Sequence, residues 1–173
     1  MRNFILGIAL TLAALVVGGL IVAWLGLINT SAELQPGKFE QYVASAVLDA
    51  SVRKNAGELV NPLSPTDANL LEGMTFYVMN CTGCHGTLDR SPSILGRSFY
   101  PPAPDLILDP PDDPEWHTYY VIKHGVRWTG MPAWSKRLKD DEIWKLTAFL
   151  SRLDKLPPAV QEKMPKPAPI PAP

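Results

Sequence analysis

The run Cys81-Thr82-Gly83-Cys84-His85 holds both cysteines of the chain and one of its three histidines. On a helical turn, positions i, i+3 and i+4 share a face, so the two thiols and the imidazole project to the same side. Two thiols at this spacing can form thioethers to the two vinyl groups of a haem, with the adjacent imidazole placed to ligate the iron. Three other chemistries use these residue types. A thioredoxin-like pair needs a βαβ context, and the sequence shows no convincing strand. Zinc wants four ligands, and only His117 or His124 is left to join these three, with no second cysteine pair. A structural disulfide suits an exported chain but leaves His85 without a role. Haem attachment is the reading that uses all three side chains.

The composition agrees with a folded carrier of such a group. With 46% hydrophobic and 19% charged residues the chain is not disordered as a whole. Lysine and arginine total 16 against 17 aspartates and glutamates, a formal charge of −1, so nothing marks it as built to neutralise phosphates, and nucleic acid is excluded as a partner. The 18 prolines are unevenly spread and crowd into the stretch after Leu156.

Several elements must position the motif. Phe4 to Ile28 carries no charge and as a helix would reach roughly 37 Å, enough to cross the ~30 Å of a bilayer's hydrocarbon core. Its length argues for an uncleaved anchor over a signal peptide, although Thr30-Ser31-Ala32 offers small residues at cleavage-like spacing. Arg2 and the amino terminus favour keeping that end cytoplasmic, which places the rest outside. Beyond it, Phe39, Tyr42, Val43, Ala46, Val47 and Ala50 recur at helical spacing. That stripe suits the membrane surface, a partner or the domain, with packing on the domain the default. Pro62 and Pro65 break the chain next. Thr66 or Asp67 caps a helix running through Gly73 and Tyr77 to Cys81. A second helix starts near Asp113 and ends at Gly125, and a third runs from Lys139 or Asp140 to Leu153 with Ile143, Leu146, Phe149, Leu150 and Leu153 on one face. The expected organisation is an anchor over 1–30, an amphipathic helix and linker over 31–63, an all-α domain with long loops over 64–157, and an extended proline-rich tail over 158–173.

Over about residues 64–157 the chain resembles the class I c-type cytochromes, which carry one haem c bound through two thioethers. The resemblance implies their fold, all-α with long loops around the haem, here preceded by a single transmembrane helix. It implies an axial methionine from a downstream loop, and Gly130-Met131-Pro132-Ala133-Trp134 matches that loop, making Met131 the expected second iron ligand beside His85. His117 or His124 is the alternative. In the family the first and last helices cross at a glycine and an aromatic contact, matched by Gly73 and Tyr77 against Leu146 and Phe149. A proline carbonyl accepts a hydrogen bond from the ligand histidine, matched by Pro104. The segment from Thr87 to Ala103 has no clear counterpart in the family.

An iron held by imidazole and thioether has no open position, so the implied function is single-electron transfer between membrane or periplasmic redox partners, not enzymatic catalysis. The competing readings are a haem sensor, which would require Met131 to be displaced, and a two-haem peroxidase, which would require a second motif. The anchored chain would act as a tethered carrier or as the cytochrome subunit of a membrane oxidoreductase, with the haem on the outer side of the bacterial cytoplasmic membrane. Lys123, Arg127, Lys136, Arg137, Lys139 and Lys145 surround Met131 in sequence and are a candidate docking face for an acidic partner.

Overall fold

The computed structural model describes residues 1–165, and among them every regular element is helical. The chain folds as two compact units, Met1–Ser31 and the residues from Ala32 onward. The first is one helix, α1 (Arg2–Trp24), exposed along its whole length. Among the described residues it is the one helix long and apolar enough to cross a membrane. It ends where Gly26 takes a positive φ of 67° and returns its N–H to the Ala23 carbonyl at 3.1 Å.

The second unit contains α2 (Lys38–Ala56), α3 (Asp67–Asn80), α4 (Thr82–His85), α5 (Ile94–Arg97), α6 (Glu115–His124), a 3-10 turn at Trp134–Lys136, α7 (Asp140–Leu150) and α8 (Pro158–Gln161). Thr66 caps α3, its hydroxyl accepting from the Asn69 N–H at 3.3 Å. At the start of α7 the Glu142 carboxylate reaches back to the Lys139 N–H at 2.7 Å, and Asp140 and Asp141 add negative charge at the positive end of the helix dipole. Helix α7 stops at Leu150, short of the expected Leu153, and the chain continues as tight turns.

The core is the crossing of α3 and α7. Leu70 and Tyr77 from α3 meet Ile143, Leu146, Phe149 and Leu150 from α7, all essentially inaccessible to solvent. Gly73 sits at the closest approach: a Cβ there would lie 2.2 Å from the Lys145 carbonyl oxygen and 2.9 Å from the Phe149 Cβ. Four residues along α3, the Tyr77 and Phe149 rings pack at 6.1 Å between centroids, tilted by 52°. Helix α6 joins α7 through the stacked rings of Tyr119 and Trp144, 3.8 Å apart.

Two expectations are corrected here. The stripe Phe39, Tyr42, Val43, Ala46, Val47 and Ala50 does not pack on the domain, its expected default; all six residues are exposed. Helix α2 instead turns Leu48, Asp49, Val52 and Ala56 inward, with Val52 1% exposed and His117 of α6 placing Nε2 3.3 Å from an Asp49 carboxylate oxygen. An i, i+4, i+8 set of small or branched residues is a sufficient docking face, and sequence spacing alone does not say which of two apolar faces a helix uses. Nor does the chain leave the domain after Leu156. Pro158 opens α8, its fixed φ suiting the first helical turn, and Val160 is fully buried against the core. The remainder of the expected tail, 166–173, lies outside the described residues.

Candidate functional site

Helix α3 delivers the motif. Its last turn runs into Cys81, whose N–H donates to the Tyr77 carbonyl at 2.8 Å, while the Cys81 carbonyl accepts from the N–H groups of Cys84 and His85 at 3.1 and 2.9 Å. The short helix α4 thus begins on Cys81 and places Cys84 and His85 one turn on. Both cysteines are free thiols, Cys81 buried and Cys84 half-buried. Burial, with Cys84 beside it, pushes the Cys81 thiol up to about 12. No strand occurs among the described residues, so the βαβ context of a thioredoxin-like pair is missing.

His85 Nδ1 lies 2.8 Å from the Pro104 carbonyl oxygen. A carbonyl only accepts, so Nδ1 is the donor, and Nε2 is the ring nitrogen left to face a metal. The Pro104 segment is itself fastened: Leu106 N–H donates to the His85 carbonyl at 3.1 Å, and Asp105 Oδ1 accepts from the N–H groups of Ile107 and Leu108, both at 3.2 Å. Between them Gly86, at φ 84°, passes so close that a Cβ would lie 2.7 Å from Asp105 Oδ1.

Three supports of this turn were not found by sequence reasoning. The Tyr77 hydroxyl donates to the carbonyls of His85 at 2.9 Å and Gly86 at 2.8 Å, so the residue at the helix crossing also clamps the end of α4. Burial, then the nearby Cys81 and Asp105, raises its phenol well above the ordinary range, and it stays a donor. Gly96 of α5 is the second support, since a Cβ there would sit 1.9 Å from the Cys84 carbonyl oxygen. Ser93 is the third: its hydroxyl accepts from the Gly96 N–H at 2.8 Å and donates to the Gly83 carbonyl at 2.5 Å. The segment from Thr87 to Ala103 therefore packs, through Ser93 and Gly96, on the backbone of the motif. Tyr77→Phe keeps the ring but removes the donor from the Gly86 carbonyl, and should cost about 1–3 kcal/mol, read as a lower urea midpoint with an unchanged slope.

Met131 arrives on a separate loop and is half-buried against the core. Thr129 Oγ1 accepts from the Met131 N–H at 3.0 Å and donates to the Val126 carbonyl at 2.8 Å, while the Val126 N–H donates to the Met131 carbonyl at 3.1 Å. Gly125 makes the turn into this loop at φ 68°. Of the alternative ligands, buried His117 turns Nε2 and Nδ1 towards the carboxylates of Asp49 and Asp113, at 3.3 and 3.5 Å, and exposed His124 lies against the Tyr120 ring at 4.4 Å.

The donor set fits a haem better than an ion. Among the described residues no three His, Cys, Asp or Glu side chains gather about one point, so Cys81, Cys84 and His85 do not form an ion cage. They lie along one short helix, two unpaired thiols and an imidazole held at Nδ1, which suits a flat ligand meeting each in turn.

Comparison with known proteins agrees. Residues 68–150 match the family model described as cytochrome c oxidase, cbb3-type, subunit III. The curated cbb3-type cytochrome c oxidase subunit FixPc of Rhizobium leguminosarum bv. viciae is 33% identical over 96 residues, 52% of this chain and 30% of that protein. This chain thus spans under a third of that relative's length. A chain in the Kuenenia stuttgartiensis reducing HAO-like protein complex aligns with 53% of this chain and 46% of its own length at 26% identity and a TM-score of 0.40. The matched region includes the C-x-x-C-H run, Pro104 and Met131, and residues 68–150 are a class I c-type cytochrome domain in an all-α chain that also carries one N-terminal helix long and apolar enough to span a membrane.

Proposed function

We propose that this chain is a membrane-anchored, monohaem electron-transfer subunit of a respiratory oxidase complex. The observation that carries this reading is the His85 Nδ1 contact to Pro104 at 2.8 Å, made at the end of the short helix that Cys81 caps and that contains Cys84. Cys81 and Cys84 would hold haem c through two thioethers, and His85 and Met131 would ligate its iron. Bound there, haem c supplies an iron that alternates between ferrous and ferric states. The chain's own residues do the rest. Pro104 orients the imidazole, Tyr77 and Ser93 immobilise the turn that carries it, and the Thr129 hydroxyl shapes the Met131 loop. Such stiffness limits the rearrangement that accompanies each electron.

Arg2 at the start of α1 favours a cytoplasmic amino end, and in this family covalent haem attachment occurs on the outer face of the bacterial cytoplasmic membrane. Both support a cytochrome domain on the outer side. Optical spectra test the ligand set. Ferrous wild-type protein should not bind carbon monoxide, whereas Met131→Ala should bind it fully and lose the far-red band of ferric methionine ligation. Wild-type protein that binds carbon monoxide at once would replace electron transfer by sensing or catalysis.

The structure thins the proposed docking face. Lys123 is 2.8 Å from Asp140 and Lys145 is 2.6 Å from Glu72, so both charges are locally balanced. Arg127, Lys136, Arg137 and Lys139 remain exposed around the Met131 loop. Reversing Lys136 and Arg137 to glutamate should slow electron exchange with an acidic partner by roughly tenfold at low salt, the difference shrinking as salt shortens the Debye length to about 8–10 Å. Equal rates at all ionic strengths would discard this face.

A further inference from the structure

Helix α2 has two apolar faces, and the domain uses only one. Leu48, Val52 and Ala56 turn inward. Phe39, Tyr42, Val43, Ala46, Val47 and Ala50 lie on nearly the opposite side at 100° per residue, and Phe39 and Tyr42 remain 81% and 74% exposed. An apolar stripe three turns long on the surface of a folded unit marks a contact.

The two acidic residues of α2 are each paired with the domain: exposed Glu40 accepts from the Tyr100 hydroxyl at 2.7 Å, and Asp49 faces His117. Arg53 and Lys54 share the exposed stripe's side at the helix C-terminal end. An apolar face finished by basic residues has the character of a helix lying in the headgroup region of an anionic bilayer. The chain supplies the bilayer. Residues 25–37 separate α2 from α1 and, fully extended, reach at most about 45 Å. Lipid is therefore always present at high effective concentration.

We propose that α2 is an interfacial helix whose outer face, Phe39 to Ala50, lies on the membrane surface and sets the orientation of the cytochrome domain. Two contacts pass that orientation on. The Asp49 to His117 contact and buried Val52 and Ala56 fix α2 to α6. The Glu40 to Tyr100 bond fixes it beside Phe99, whose ring abuts Gly130, next to Met131. A lipid-bound α2 would thus hold the Met131 loop at a set angle to the bilayer, leaving a constant side for a redox partner. The proposal rests on reading α1 as a membrane anchor.

The test uses the full-length reduced holoprotein in nanodiscs of phosphatidylcholine and phosphatidylglycerol, spin-labelled singly at Leu15→Cys, Tyr42→Cys, Val47→Cys or Ser51→Cys. Collision rates are measured with oxygen, which concentrates in lipid, and with a nickel chelate, which stays in water. All four positions are exposed, so the labels should leave the fold intact, and an unchanged haem spectrum confirms it. Oxygen should dominate at Leu15, Tyr42 and Val47 and nickel at Ser51, which points to the flank of α2. Nickel dominance at Tyr42 and Val47 with oxygen dominance at Leu15 would overturn the proposal while the anchor stands. Loss of both collisions at Tyr42 and Val47 would overturn it in favour of a protein contact. Nickel dominance at Leu15 would remove the anchor itself.

Discussion

Gly73→Ala is expected to destabilise the cytochrome domain by about 3 kcal/mol, the upper range for overpacking a core. The added Cβ would lie 2.2 Å from the carbonyl oxygen of Lys145 and 2.7 Å from its carbonyl carbon, both backbone atoms, and 2.9 Å from the Phe149 Cβ. A long side chain could swing aside, but the middle of α7 cannot: Ile143, Leu146, Thr147, Phe149 and Leu150 flank the clash and are at most 2% exposed. Alanine's better helix propensity, worth about 1 kcal/mol over glycine, offsets only part of the clash. Urea unfolding of the holoprotein, followed by the haem band and by far-ultraviolet dichroism, gives the number. A midpoint unchanged from wild type would mean that α3 and α7 do not meet at this glycine.

Gly125→Ala should strike the proposed iron ligation while sparing most of the fold. Gly125 has φ 68° and ψ −175°, a region populated almost only by glycine, and a side chain there costs about 1–3 kcal/mol in strain. Its Cβ would also lie 2.6 Å from the Pro132 carbonyl carbon and 2.7 Å from both the Met131 carbonyl oxygen and the Ala133 nitrogen. Helix α6 ends on Gly125 and is anchored behind it by Tyr119 stacking on Trp144. The Met131 loop is held mainly by the Val126 and Thr129 hydrogen bonds and is the part that yields. The expected result is a ferrous protein that binds carbon monoxide, as Met131→Ala does, with helix content near wild type. Refusal of carbon monoxide together with a wild-type ferric spectrum would show that the loop's position does not depend on this glycine.

These two glycines also separate what sequence can show from what it cannot. Gly73 is legible because it interrupts an otherwise good helix at a position where the resembled family crosses two helices. Gly125 reads only as a helix terminator. Its second duty, giving room to the Met131-Pro132 backbone, is a steric fact about chain that has not yet been placed. Gly96 and Ser93 are less legible still, because they act on the carbonyls of Cys84 and Gly83, and a backbone carbonyl carries no mark in a sequence. Tyr77 shows both sides at once. Its aromatic spacing against Phe149 is readable, whereas the direction of its hydroxyl, towards His85 and Gly86, depends on how the chain turns after Cys84.

By itself the sequence determined what depends on neighbours along the chain. The charge-free run after Asn3, a cap at Thr66 or Asp67, the apolar face of α7 and the shared face of Cys81, Cys84 and His85 all follow from spacings of a few residues, which the helical repeat converts directly into geometry. Tertiary structure decided which of two apolar faces α2 lays on the domain, that Val160 returns to the core beyond two prolines, and that the Thr87 to Ala103 segment packs on the backbone of the motif. Each is a choice between surfaces of similar hydrophobicity. Hydrophobic burial has no direction, so the choice falls to shape, to where a missing Cβ lets two backbones meet and where a branched side chain finds a matching gap.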